Sequence, residues 1–257
     1  MKSKPQKSGQ ASYRFREETK TNRLGFTLIE LLVVIGIISL LLSILMPSLI
    51  KARSMAMRMK CAHNLNQINV AMNLFLIDNK QTYPCADDPV SDDPNNTYWL
   101  WMGRGWRGHL EKYLGNNINV DNPSVLLCPQ DFAFPEKYQS TSYGYSMAFY
   151  HSPAQIDAMS SPADTYSNPQ PGVPQQSFDV AHPAGKIMMG EWSSNHFRIK
   201  NAQERSKGWW TWHGRRNFLF ADGHVIFLKA TDIREANDGL PDVNLTVRGI
   251  KGIDWPR

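Results

Sequence analysis

Glu30 is the residue whose position most needs a chemical explanation. It lies inside an apolar run from Phe26 to Ile50 that holds no Lys or Arg. A carboxylate at membrane depth costs on the order of 2.5–3.5 kcal/mol on insertion scales, so such a group usually has a partner and a task. Just before it, Gly25 joins Phe26, and a residue without a side chain leaves that peptide bond open to close backbone approach. At the other end of the chain, His213, Asp222, Gly223 and His224 gather two imidazoles and a carboxylate within twelve residues. Shared metal ligation there is not expected, because a continuous strand from His213 to Ala221 spans about 26 Å. A hairpin with a polar entrance and a turn aspartate is the simpler reading. Glu111, Asp131 and Glu191 are isolated carboxylates. No Gly-x-Ser-x-Gly, His-Glu-x-x-His, phosphate loop or dinucleotide fingerprint is present, so no catalytic group is assigned. Cys61, Cys85 and Cys128 make an odd count without Cys-x-x-Cys or Cys/His ligand spacing, so no zinc site is expected. Outside the cytoplasm they permit one disulfide and leave one thiol over.

The elements that position these residues follow from hydrophobic pattern. The apolar run is long enough to cross a bilayer as a helix. Beyond Pro47 the apolar or small positions Ala52, Met55, Met59, Ala62, Leu65, Ile68, Met72 and Phe75 recur in steps of three and four, which predicts an amphipathic continuation. Lys51, Arg53, Arg58, Lys60, Asn64 and Asn66 fall on its opposite face, as a solvated or headgroup-facing surface. The helix is expected to end near Asp78-Asn79, and Pro47 to kink or locally melt it. Its roughly fifty residues would reach roughly 75 Å. A loop follows from Pro84 to about 97, then a short helix around Gly108–Leu114 and an apolar element, Ser124–Cys128, stopped by Pro129. Strands are expected at Tyr143–Phe149, Lys186–Glu191, Asn217–Ala221 and His224–Leu228. Residues 151–183 read as a surface excursion. Asp222-Gly223 predicts a two-residue hairpin turn that pairs Phe220 with Val225 and Phe218 with Phe227. Those four side chains would then form the face on which the long helix packs.

The charge of +5 belongs to one end. Seven basic and two acidic side chains lie in residues 1–25, which leaves 21 of each sign beyond. The basic segment reads as a positive-inside topology signal, and the neutral remainder gives no nucleic-acid footprint. Eight tryptophans include two clusters, Trp99, Trp101 and Trp106, and Trp209, Trp210 and Trp212. They serve either as core and sheet cover or as an exposed platform for glycans.

Gly25-Phe-Thr-Leu-Ile-Glu30, with its basic leader and Pro47, resembles the processing segment of type IV prepilins and type II secretion pseudopilins. His213-Gly-Arg-Arg-Asn-Phe-Leu-Phe-Ala-Asp-Gly-His224 resembles the His-X9-Asp-Gly motif of pseudopilin-like, prepilin-type processing-associated proteins, with eight residues in place of nine. Cys61-Ala-His-Asn-Leu65, Cys128-Pro129 and Ser142-Tyr-Gly-Tyr145 resemble the same group.

The resemblance implies a cytoplasmic leader (1–25) removed by prepilin peptidase, with methylation of the new Phe26 amine. It implies a helix over 26–80, with 26–50 in the inner membrane, and a periplasmic head over 81–257. Assembly would involve Glu30, other pilin or pseudopilin subunits, an inner-membrane assembly platform and membrane lipid. The role of His213, Asp222 and Gly223 stays open. A Cys61–Cys128 disulfide is implied, as both positions recur in the resembling group. Some pseudopilins hold calcium in a late loop, which makes Asp232, Asp238, Gly239 and Asp242 the residues to inspect. No other cofactor is expected. The fold class is α+β, a long helix on a small antiparallel sheet. The function is a structural subunit, with a membrane-anchored glycan-binding module as the alternative.

A side chain at position 25 obstructs a site built for close backbone approach. Gly25→Val is expected to leave full-length precursor in membranes, as read by intact-protein mass. A mature terminus at Phe26 in that variant would contradict the assignment.

Overall fold

The computed structural model describes residues 27–85, 106–115, 124–131, 141–161, 164, 170–193, 196 and 214–256. The chain divides into two compact units, Met1–Leu49 and Ile50–Arg257. Helix α1, Leu28–Asp78, contributes to both and is 51 residues long. In the first unit its side chains are exposed, Leu28 and Ile29 included, and the helix is long and apolar enough to cross a membrane. Helical structure continues through Pro47, so the expected local melting does not occur. Proline still removes the amide that would have bonded the carbonyl of Ser43.

In the second unit α1 buries a narrower stripe than its sequence pattern predicts: Cys61, Asn64, Leu65, Ile68, Ala71, Met72 and Leu76. Met55 and Met59 are exposed, so the packed stretch starts at Cys61. Asn64, expected on the solvated face, is buried instead. Its Nδ2 donates to Leu127 O at 3.0 Å and to Tyr143 Oη at 3.1 Å. Periodicity cannot separate such an asparagine from a surface one, because its partners come from distant segments. The helix ends at Asp78. Lys80 and Gln81 then adopt positive φ (55° and 64°), and Gln81 N donates back to Leu76 O, which occupies one of the last free carbonyls.

Four antiparallel strands form one sheet in the order β1 (Tyr143–Tyr145), β2 (Ile187–Glu191), β3 (Arg215–Phe220) and β4 (Val225–Lys229). β1 is shorter than the predicted strand. Ser146 Oγ accepts from Ala148 N and turns the chain into a 3-10 helix over Met147–Phe149. Helix α2, Arg107–Leu114, packs Leu110 into the core. The stretch read as a surface excursion also contributes to the interior. Ser152 and Gln155 form a capping box on α3 (Pro153–Ala158), and Ile156, Met159 and Val180 are buried.

The β3–β4 register differs from the prediction by one residue. Leu219 pairs with Val225, Phe218 with Ile226 and Asn217 with Phe227. Gly223 N donates to Phe220 O, and Phe220 N to His224 O, so the loop has three residues, Ala221–Gly223. Gly223 sits at φ 93°, as a three-residue hairpin loop with a left-handed third position requires. A one-residue shift exchanges the faces of one strand relative to the other. Leu219 and Val225 therefore join the core that receives α1. Phe218 and Phe220 face the other way, in a second cluster with Ile187, Trp192, Leu228, Ile233 and Val243. The aromatic face predicted for the helix is instead covered by the C-terminal segment. Asp254 fastens that cover by accepting from Ile187 N at 2.7 Å and pairing with the buried Lys186 Nζ at 3.2 Å.

A Cβ on Gly223 would lie 2.6 Å from Asn69 Nδ2 of α1, in a backbone conformation that L-residues rarely adopt. Gly223→Ala is expected to destabilise the head by about 1–2 kcal/mol. Urea unfolding of both proteins measures this, and an unchanged midpoint would contradict the turn assignment.

Candidate functional site

Thr27 and Glu30 open α1 with reciprocal bonds. Thr27 N donates to Glu30 Oε2 at 2.9 Å, Thr27 Oγ1 donates to the same oxygen at 2.8 Å, and Glu30 N donates to Thr27 Oγ1 at 3.2 Å. This is a capping box, and it occupies amide donors that a helix start leaves free. Thr-x-x-Glu before an apolar run is the local signal that could have found it. The carboxylate therefore has a partner in its own first turn, although not a cation. Gly25 and Phe26 lie outside the described residues, and Pro47 lies within α1.

The head holds a second polar concentration at the end of β2. Glu191 is fully buried on the sheet face that receives α1. Its Oε2 accepts from Asn217 N at 2.9 Å, and its Oε1 accepts from Asn217 Nδ2 at 2.9 Å. Asn217 Nδ2 also donates to Arg58 O of α1 at 3.3 Å, so one side chain links strand, helix and carboxylate. The Arg58 guanidinium stacks over the Phe227 ring at 4.6 Å. Burial pushes the Arg216 guanidinium down to about 10, opposed by the charge of Glu191. His196 Nε2 lies 2.9 Å from Glu191 Oε1 and 3.3 Å from Cys128 Sγ, and its Nδ1 contacts Gln130 Oε1. Cys61 and Cys128 are joined by a disulfide, with Cα atoms 5.1 Å apart, and Cys85 is not part of it. Sequence reading treated Glu191 as isolated and did not single out His196. The two lie five residues apart in sequence, but Asn217 reaches Glu191 through the β2–β3 pairing, and Cys128 and Gln130 reach His196 from more than sixty residues away, which no local spacing encodes.

Asp222 and Gly223 form the β3–β4 turn, with Asp222 Oδ1 accepting from His224 N and contacting His224 Nδ1. His213 lies outside the described residues, as do Trp99, Trp101, Trp209, Trp210 and Trp212. Trp106 is fully buried, and its Nε1 donates to Tyr143 O at 3.1 Å, so this ring is core.

Residues 20–46 match the model of the prokaryotic N-terminal methylation motif. No curated protein and no solved structure matches the chain. The motif, the long apolar helix behind it and the antiparallel sheet are consistent with a type IV pilin-like precursor of α+β architecture.

In the acidic C-terminal loop, Asp232 accepts from Lys229 N and Asp238 from Leu240 N. Asp242 is buried, its Oδ1 bonded to Asn244 N and its Oδ2 without a partner. Desolvation pushes its carboxyl well above the ordinary aspartate value of 3.8. The folded chain then holds this proton more tightly than the unfolded chain, so its stabilising contribution is full below 3.8 and is lost as pH rises through the folded value. Asp242→Asn keeps an acceptor and removes the charge. It is expected to flatten that decline, read from urea midpoints at about pH 5 and about pH 8. An equal decline in both proteins would contradict the assignment.

Proposed function

We propose that this chain is a prepilin-like structural subunit. Prepilin peptidase cuts it between Gly25 and Phe26, the new amine is methylated, and the first half of α1 anchors the head at the outer face of the inner membrane. Assembly through α1 into a type IV pilus or type II secretion pseudopilus follows. The reading rests on one coincidence above all. The methylation motif at residues 20–46 falls on an apolar helix whose membrane half is exposed throughout and carries one carboxylate at its start. A protein with this design has its apolar surface ready for lipid first and for neighbouring helices later. The motif belongs to structural precursors, which favours a scaffold role over catalysis.

Glu30 gives assembly a register. Cleavage creates a cation at Phe26, and no Lys or Arg lies between Phe26 and Ile50 to compete for the carboxylate. In an isolated subunit Thr27 occupies Glu30 Oε2. In a filament the amine of a neighbouring subunit neutralises the charge in a low-dielectric core, where an unpaired ion is strongly disfavoured. Apolar helices alone can slide along one another; a paired ion fixes the axial offset.

The capping box makes two variants informative. Glu30→Gln keeps an acceptor for Thr27 but no charge, whereas Glu30→Ala loses both. Both are expected to be inserted and processed, and both to fall more than about tenfold in sheared filaments, a loss of about 1.4 kcal/mol or more. Wild-type assembly of Glu30→Gln beside failure of Glu30→Ala would assign Glu30 to the cap alone. Wild-type assembly of both would remove its role.

A further inference from the structure

The polar concentration at the end of β2 has the donor chemistry of a metal centre. One ligand atom from each of Cys61, Cys128, Glu191 and His196 lies within 4.8 Å of the others. A four-coordinate zinc shell of thiolate, imidazole and carboxylate ligands has edges of about 3.3–3.8 Å. The four side chains come from α1, from the segment after the 3-10 turn at Ser124–Leu126, from β2 and from the chain just beyond it. Cys61, Cys128 and Glu191 are buried, and His196, half-buried as a residue, has its side chain at 1 % exposure.

Their surroundings orient them inward. His196 Nδ1 faces an amide oxygen, Gln130 Oε1, and Nε2 faces Glu191 Oε1 at 2.9 Å and Cys128 Sγ at 3.3 Å. An outer acceptor that fixes the tautomer of a ligating imidazole is the usual second layer of a metal site. Asn217 holds both oxygens of Glu191 through two amide donors. A cation at the centre of these groups would take the place of the proton shared between His196 Nε2 and Glu191 Oε1. The mixed S2NO donor set suits zinc, whereas calcium and magnesium prefer oxygen throughout.

We propose that, in its thiol form, the chain binds one zinc ion through Cys61, Cys128, His196 and Glu191, and that formation of the Cys61–Cys128 disulfide ejects it. The disulfide leaves only His196 and Glu191, too few to hold the ion. A disulfide-donating oxidant takes one electron from each cysteine sulfur as the S–S bond forms. The oxidant's own disulfide accepts both electrons and two solvent protons and leaves as a dithiol, while zinc departs from the dissolved thiolate pair. Zinc would thus hold Cys128, Glu191 and His196 against Cys61 of α1 until the covalent link replaces it.

The test uses the full-length chain carrying Cys85→Ser in detergent, which removes the third thiol. One sample is reduced with a phosphine and desalted without oxygen; the other is left oxidised. Cobalt(II) is titrated into each, followed by zinc. The reduced chain is expected to bind one equivalent of cobalt, with thiolate-to-metal charge-transfer and tetrahedral d–d bands that zinc abolishes. The oxidised chain is expected to show neither band. His196→Ala, and His196→Gln as a bulkier replacement, are expected to weaken zinc binding at least about tenfold. In both variants, disulfide formation on oxidation reports that the fold persists. No cobalt uptake by the reduced chain, bands without thiolate character, equal uptake by the oxidised chain, or wild-type affinity in a variant that still closes the disulfide would each overturn the proposal.

Discussion

One helix has to satisfy two solvents. The first part of α1 presents apolar side chains around its whole circumference, a composition stable only in lipid or among similar helices. From Cys61 to Leu76 the same helix presents a single buried stripe to the sheet, and its remaining surface is mixed, with His63, Asn66, Gln67 and Asn73 beside the exposed Val70 and Leu74. Basic residues Lys51, Arg53, Arg58 and Lys60 lie between these regimes. Because helical backbone satisfies its own hydrogen bonds, it can pass from one environment to the other without exposing polar groups. The head is built on the part of this helix that lies in its own unit, so the anchor and the core are successive stretches of one element.

Buried polar groups then make the packing specific. Asn64 reaches the 124–128 segment and β1, and Asn217 reaches Glu191 and α1. Apolar contacts alone would tolerate a helix displaced along the sheet. These amides would lose their partners on such a shift, at about 1–3 kcal/mol for each buried group left unpaired. The Cys61–Cys128 link joins the same two elements covalently. On the opposite face, Lys186 and Asp254 do for the C-terminal cover what the amides do for the helix.

Much of this was legible in the sequence. The length and end of α1, helix α2, strand β2 and the β3–β4 hairpin all follow from periodicity and turn chemistry, which are local. The hairpin face was misread because Asp222-Gly223 suits both a two-residue loop and a three-residue loop with glycine third. The choice between them depends on which face the core accepts, and a single hairpin does not contain that information. Met55 and Met59 continued the apolar pattern of α1 beyond its packed stretch for the same reason. Asn64 was read as a surface group and Glu191 as isolated, and His196 was not singled out, because Asn64, Cys128 and Gln130 meet their partners across more than sixty residues and Asn217 reaches Glu191 across the sheet. At Glu30 the sequence also carries a local signal, Thr27-x-x-Glu30 before an apolar run, and the structure forms that capping box.

The central claim is that the apolar half of α1 is exposed at its amino end by cleavage and then buried among copies of itself. Mass analysis of the chain recovered from sheared surface filaments and from the inner membrane tests this directly. The account predicts filament-associated chain whose first residue is Phe26, with one methyl group on its amine, and a membrane pool of precursor and mature forms. Chain found only in the membrane and starting at Met1, or a terminus generated beyond Met46, would contradict it.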